Sequence, residues 1–228
     1  MQPELCAVRV RDGAKCLALP DRQRLGDGAE IMQTFVALMR GINVGSTRKL
    51  PMAELRVLSV KIGLQRPETY IQSGNLIVDA EVEADHVRGL LEKAIGARFG
   101  LRVDVIVRRA SQWNRYVAAN PFANDAAILP KMLHLYLSRD PLRVSAAKEL
   151  EQKAQAGERM ALAGGALWID YGANGAGKSK LTPLLVDKAC GSPSTGRNWN
   201  SVLKIAEMID ARGQSDGFKL NRHRALDF

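Results

Sequence analysis

Thr69-Tyr70-Ile71-Gln72-Ser73-Gly74-Asn75-Leu76-Ile77-Val78 is the stretch that decides the fold. Two short runs of strand-forming residues, 69–71 and 76–78, flank a polar turn. That turn places glycine and asparagine where a hairpin needs positive φ. Upstream, Pro51 sits where a first helical turn favours proline. Met52, Leu55 and Leu58 follow as an apolar stripe, and Gly63 ends the pattern. Before that helix, Thr34 to Arg40 reads as a buried strand, followed by the loop Gly41-Ile42-Asn43-Val44-Gly45-Ser46-Thr47. Downstream, residues 84–98 place Val87, Leu90, Leu91, Ala94 and Ile95 on one helical face. Val103, Val105 and Val107 then alternate as a strand. The order is β-α-β-β-α-β, the ferredoxin-like order, in which two helices cover one face of an antiparallel sheet.

The pattern then begins again. Residues 111–119 read as a connecting helix, broken at Asn120-Pro121-Phe122 because the residue before proline resists the helical region. Met132–Leu137 reads as a strand and 144–155 as a helix. Met160–Ala163 and Leu167–Tyr171 are strands around Gly164-Gly165, and 179–189 is a helix. No final strand is visible; Ser194 or Thr195 is expected to cap a last helix reaching about Ala211. The expected fold class is therefore α+β, two packed ferredoxin-like subdomains, the second imperfect. The expected divisions are 1–31, a disordered or mis-started extension; 32–110, the first subdomain; 111–130, a connector; 131–211, the second subdomain; and 212–228, a frayed basic tail. The break at 31/32 rests on the change from aperiodic sequence to a strand-like run just after Met32.

Four segments carry a resemblance. They are Leu38-Met39-Arg40-Gly41-Ile42-Asn43-Val44-Gly45, Thr69 to Asn75, Ser179-Lys180-Leu181-Thr182, and Thr195-Gly196-Arg197-Asn198-Trp199-Asn200. In this order and at these distances the chain resembles the domain of unknown function 1697 family over about Gln33 to Ala211. The resemblance implies two packed ferredoxin-like subdomains. It brings no activity, cofactor or catalytic residue with it.

Composition narrows the function classes. Apolar residues make up 46% and charged residues 25% of 228, ordinary for a globular chain, with aromatics at only 5%. No apolar run approaches the roughly 18–20 residues that span a bilayer. Three cysteines make no disulfide framework, so a reducing, cytoplasmic setting is expected. Three scattered histidines show no metal-ligand spacing, and no metal or cofactor is expected. The formal net charge is +9, of which +7 lies on residues 32–211 without any dense basic run.

Three motifs could carry chemistry. Gly172-Ala173-Asn174-Gly175-Ala176-Gly177-Lys178-Ser179 matches the phosphate-binding loop pattern letter for letter, between an expected strand and an expected helix. Too little chain follows to build the usual parallel sheet. No downstream strand ends in aspartate, and Pro183 disturbs the helix start. A connecting turn is the favoured reading, ahead of a looser anion site at the helix N-terminus using Lys178, Ser179 and Lys180. The second motif puts Arg197, Asn198 and Asn200 in the first turns of the last helix, beside unsatisfied N–H groups. The third is a rim where Arg40, Asn43 and Ser46 approach Gln72, Ser73 and Asn75. There the first and third strands of a ferredoxin-like sheet are central neighbours. Amides and guanidinium groups bind polar ligands but do little acid–base work.

The expected function is a binding or regulatory protein that takes a phosphate-bearing small molecule or nucleic acid on a basic, amide-rich surface. The candidate ligand-binding residues are Arg40, Asn43, Gln72, Ser73, Asn75, Ser179, Lys180, Arg197, Asn198 and Asn200. The alternatives are an enzyme acting on a phosphorylated or nucleotide substrate, for which no general base can be named, and a structural or oligomeric interaction module. No membrane association is expected, and the sequence does not fix the oligomeric state.

Overall fold

The computed structural model describes residues 32–45 and 48–224, with side chains described to residue 213. The expected extension 1–31, with Cys6 and Cys16, lies outside the described residues, as do Ser46 and the last four positions. One compact unit begins at Met32.

The first half runs β1 (Gln33–Met39), α1 (Met52–Lys61), β2 (Gln65–Tyr70), β3 (Asn75–Ala80), α2 (Ala84–Phe99), β4 (Val105–Arg109). Its strands lie in the order β2-β3-β1-β4, all antiparallel. Strand side chains alternate between faces. Phe35, Ala37, Met39, Leu76, Val78, Val105 and Val107 therefore meet Leu55, Val87, Leu91 and Ile95 of the two helices. Gly100, in the left-handed conformation, ends α2.

The second half repeats this. After α3 (Ala110–Ala118) and a short α4 (Ala123–Ile128) come β5 (Leu133–Ser138), α5 (Ala146–Glu151), β6 (Arg159–Ala163), β7 (Ala166–Asp170), α6 (Pro183–Cys190), β8 (Ser194–Asn198) and α7 (Trp199–Arg224). The strand order β6-β7-β5-β8 is the same as in the first half.

The second subdomain is thus complete, which corrects the expectation of a missing strand. Ser194–Asn198 pairs antiparallel with β5, Ser138 opposite Ser194 and His134 opposite Asn198. Ser194 and Thr195 lie inside this strand and cap nothing. Asn198 does the capping, its Oδ1 accepting from Ser201 N at 3.0 Å. The expected frayed tail from 212 is also corrected: α7 continues to Arg224, and Arg212 is buried. α6 starts at Pro183, not near 179, because proline suits the first turn and Thr182 caps it.

The inner faces of the two sheets share a central layer with α3 and α7. Val36, Leu38, Ile77 and Ile106 come from one sheet and Leu133, Leu135, Leu137 and Trp168 from the other. Trp113, Tyr116, Val202 and Ile205 come from the helices. Neither α3 nor α7 is a mere connector; each follows the fourth strand of its half and crosses to the inner face.

The halves grip each other reciprocally, as subunits do across a twofold axis. Arg40, just after β1, donates to Asp187 on α6. Arg139, just after β5, donates to Glu92 on α2 at 2.7 Å. Each of those carboxylates also accepts a backbone N–H at the start of its own fourth strand, from Ser194 at 2.8 Å and Val105 at 2.9 Å. Trp113 and Val202 each stand four residues past their fourth strand. They meet directly, indole Nε1 donating to the Val202 carbonyl at 3.0 Å.

Candidate functional site

Arg197 is buried at the junction of the halves. Its Nε donates to Asn75 Oδ1. Its Nη2 reaches the carbonyls of Met39 (3.0 Å), Ser73 (3.0 Å) and Gly74 (3.2 Å). Its Nη1 reaches Thr195 Oγ1 (2.8 Å) and the Gly196 carbonyl (2.9 Å). Burial pulls its pKa down to about 10. Asn75 is fully buried and also donates to the Tyr70 carbonyl and to Ser73 Oγ. Asn43, at φ 53°, closes its own loop through Leu50 and donates to the Gln72 carbonyl at 2.7 Å. Arg40 faces Asp187, Asp104 and the Ser194 carbonyl instead of the hairpin.

The expected rim therefore forms, but its groups are spent on one another. Asn43, Ser73, Asn75 and Arg197 are brought together as an internal latch. Arg40 belongs to a second tie, Asn198 is a helix cap, and Gln72, Ser73, Lys180 and Asn200 are the exposed candidates. The surface reading of Asn75 and Arg197 is corrected on burial alone: an anion has no path to groups already saturated by carbonyls.

The glycine-rich loop is likewise closed. Gly172–Asn174 and Ala176–Lys178 are two short 3-10 turns. The N–H groups of Gly175, Lys178 and Ser179 go to carbonyls three residues back, so they form no phosphate cradle. Ser179 Oγ donates to Glu158, which also accepts from Gln155 N and Ala156 N. A carboxylate at that spot opposes an anion, and the helix begins four residues later.

The open polar space lies elsewhere, in a cleft of about 640 Å³ between the halves. Its walls are the end of β4 with α3 from one side, and the Arg139–Pro141 loop with the Gly164-Gly165 turn from the other. Four arginines line it: Arg108, Arg109, Arg115 and Arg139. Arg109 is paired with Glu83, and Arg139 with Glu92 and Asp104. Their Nε atoms are buried with no acceptor among the described residues. Arg108 donates only to the carbonyls of Val107 and Ser138 among the described residues, and Arg115 is exposed. Of the cleft's three carboxylates, Glu83 is taken by Arg109 and Asp85 is paired with Arg88 at 3.4 Å. That leaves Asp140 against the two guanidinium groups without a carboxylate partner, so positive charge is in excess.

Sequence reading missed this cleft. Its arginines sit at separated positions on β4, α3 and the β5–α5 loop, with no motif to mark them. The adjacent pair Arg108-Arg109 at a strand end, beside a later arginine one turn into a helix, was the available signal.

Comparison with known proteins bears on the fold. The family model described as a protein of unknown function, DUF1697, matches residues 32–168. The chain belongs to this family. No curated protein matches it. Among solved structures, the DUF1697 chain is similar to a conserved bacterial protein, SP0830, from Streptococcus pneumoniae. The identity is 21% and the TM-score 0.62, over 78% of this chain and 99% of that one. At that identity the likeness carries the fold alone. Among the described residues, no helix is long and apolar enough to cross a membrane.

Proposed function

We propose that this protein binds a phosphate-bearing small molecule in the arginine cleft between its halves. The observation that carries this reading is Arg108 and Arg115, two guanidinium groups without carboxylate partners among the described residues, lining the same cleft. A guanidinium presents a planar fork matched to phosphate oxygens. At about 640 Å³ the cleft falls within the roughly 300–1,000 Å³ typical of small-molecule sites. A nucleic acid is disfavoured because several basic side chains are spent inside the fold, Arg40, Arg139, Arg197 and Arg212 among them. A reducing, cytoplasmic setting fits the buried free thiol of Cys190.

The test is calorimetric titration of the full chain with pyrophosphate, ADP and a sugar phosphate, at low and moderate salt. Arg115→Gln is the informative variant, because the side chain is exposed and its loss spares the core. Losing one charge-assisted hydrogen bond, about 1.5–3 kcal/mol, should weaken binding by roughly tenfold or more. Failure of every phosphate-bearing probe to bind would remove the proposal.

A further inference from the structure

The strand registers set the two halves in correspondence. Met39 pairs with Val105 and Val36 with Arg108; Ser138 pairs with Ser194 and Leu135 with Arg197. Arg108 therefore occupies in the first half the place that Arg197 occupies in the second. Their shared bonds agree. Arg108 Nη1 donates to the carbonyl of the residue before it at 2.8 Å, and so does Arg197 Nη1 at 2.9 Å. Arg108 Nη2 donates to Ser138, the last residue of the other half's first strand; Arg197 Nη2 donates to Met39, the same position reversed.

The remaining bonds differ. Asn75, the first residue of β3, takes the Nε of Arg197, and the four-residue turn before it supplies the Ser73 and Gly74 carbonyls. In the corresponding place, the first residue of β7 is Ala166, and the turn before it is the two-residue Gly164-Gly165. Both residues are fully buried on the inner faces of their sheets. Alanine offers no acceptor, so Arg108 Nε has none among the described residues. The cleft lies against Arg108 and that shortened turn. One arginine of the pair is clasped by its neighbouring hairpin, and the other faces open space.

We infer that Arg108 is the principal anion donor of the cleft, and that Ala166 is the position that keeps it open. The inference rests on the cleft reading above and deepens it by naming the donor and the ligand group. The Nε and the second Nη2 hydrogen of Arg108 lie along one edge of the guanidinium, the edge that Asn75 and the turn carbonyls occupy on Arg197. Two oxygens of one terminal phosphoryl group suit that edge, a bidentate pairing. The ligand is thus held end-on by its phosphate, with Arg115 at the mouth, and the rest of it lies in the cleft.

The experiment is a pyrophosphate titration of the full chain at fixed ionic strength, read by calorimetry and by the arginine Nε–Hε signals in a ¹⁵N–¹H spectrum. Arg108→Lys identifies the Arg108 signal. The wild-type Arg108 signal is expected to shift on titration. Ala166→Asn supplies the missing acceptor, so it should weaken pyrophosphate at least tenfold while leaving the melting temperature unchanged or higher. If binding weakens in Arg115→Gln while the Arg108 signal and the affinity of Ala166→Asn stay as in the wild type, the inference is overturned and the cleft reading survives. If pyrophosphate does not bind the wild type, the inference falls, and the cleft reading falls with it only if ADP and the sugar phosphate also fail to bind. Should Ala166→Asn fail to fold, the wild-type Nε signal decides alone.

Discussion

Arg197 has no carboxylate partner among the described residues and is held by neutral acceptors; its burial is why its cation is less favoured than in water. Its removal would still be costly. Arg197→Ala would leave Asn75 Oδ1 and the carbonyls of Met39, Ser73 and Gly74 short of a donor in a buried place. A loss of about 3 kcal/mol is expected, seen as a lower urea midpoint. The thiol of Cys190 shows a different effect of burial. Desolvation is the main reason its pKa rises from 9.0 to about 11, with Asp187 adding to it and the hydrogen bond to Ser194 opposing. A group whose folded pKa is raised contributes stability that is whole below its unfolded pKa and is lost as pH climbs to the folded value. Stability should therefore decline between pH 9 and about 11. Cys190→Ala should show a shallower decline in urea midpoints measured at pH 8 and pH 10.5; an identical slope would exclude the thiol as the cause.

Among the elements, β8 shows what a sequence conceals. Ser-Thr-Gly-Arg-Asn has no apolar alternation, yet it is a strand because each position meets a particular partner. Arg197 fills an inward position where a core strand would carry valine, and Gly196 lies under the ring of Tyr136. A Cβ at Gly196 would stand 2.6 Å from that ring. Gly196→Ala should thus cost about 1–3 kcal/mol by overpacking, measured as a fall in melting temperature. Most of the first half was legible because β1, β3 and β4 are largely apolar and its helices carry clear stripes; the polar β2, Gln65–Tyr70, was read only at its end. The hairpin at Gly164-Gly165 was legible from turn chemistry. The site was not legible. Asn75 and Arg197 stand 122 positions apart, and only the fold reveals that they satisfy each other. That Ala166 stands where the first half has Asn75 appears only once the two halves are placed in register.

On the scale of the whole molecule, a chain of net charge +9 uses much of its arginine internally as fasteners. Arg40 to Asp187, Arg139 to Glu92 and Arg212 to Asp79 and Glu68 all join distant segments. The first two ties are partly exposed, so Glu92→Gln, which keeps an acceptor for Val105 N, should cost only about 0.5–1 kcal/mol, less at high salt. A double variant with Asp187→Asn should show nearly the sum of the two losses in urea unfolding, because the carboxylates act on different arginines. A larger excess would mean that the two ties share one opening event. The central layer also has a consequence during synthesis. The inner surface of the first sheet, with Val36, Leu38, Ile77 and Ile106, is first covered in part by α3, and the layer closes only when the second sheet and the last helix join it. The 89 positions from Trp113 to Val202 take roughly 5–20 s to translate. Throughout that interval the nascent chain presents a finished sheet whose oily side α3 covers only in part, the kind of surface that ribosome-associated chaperones shield.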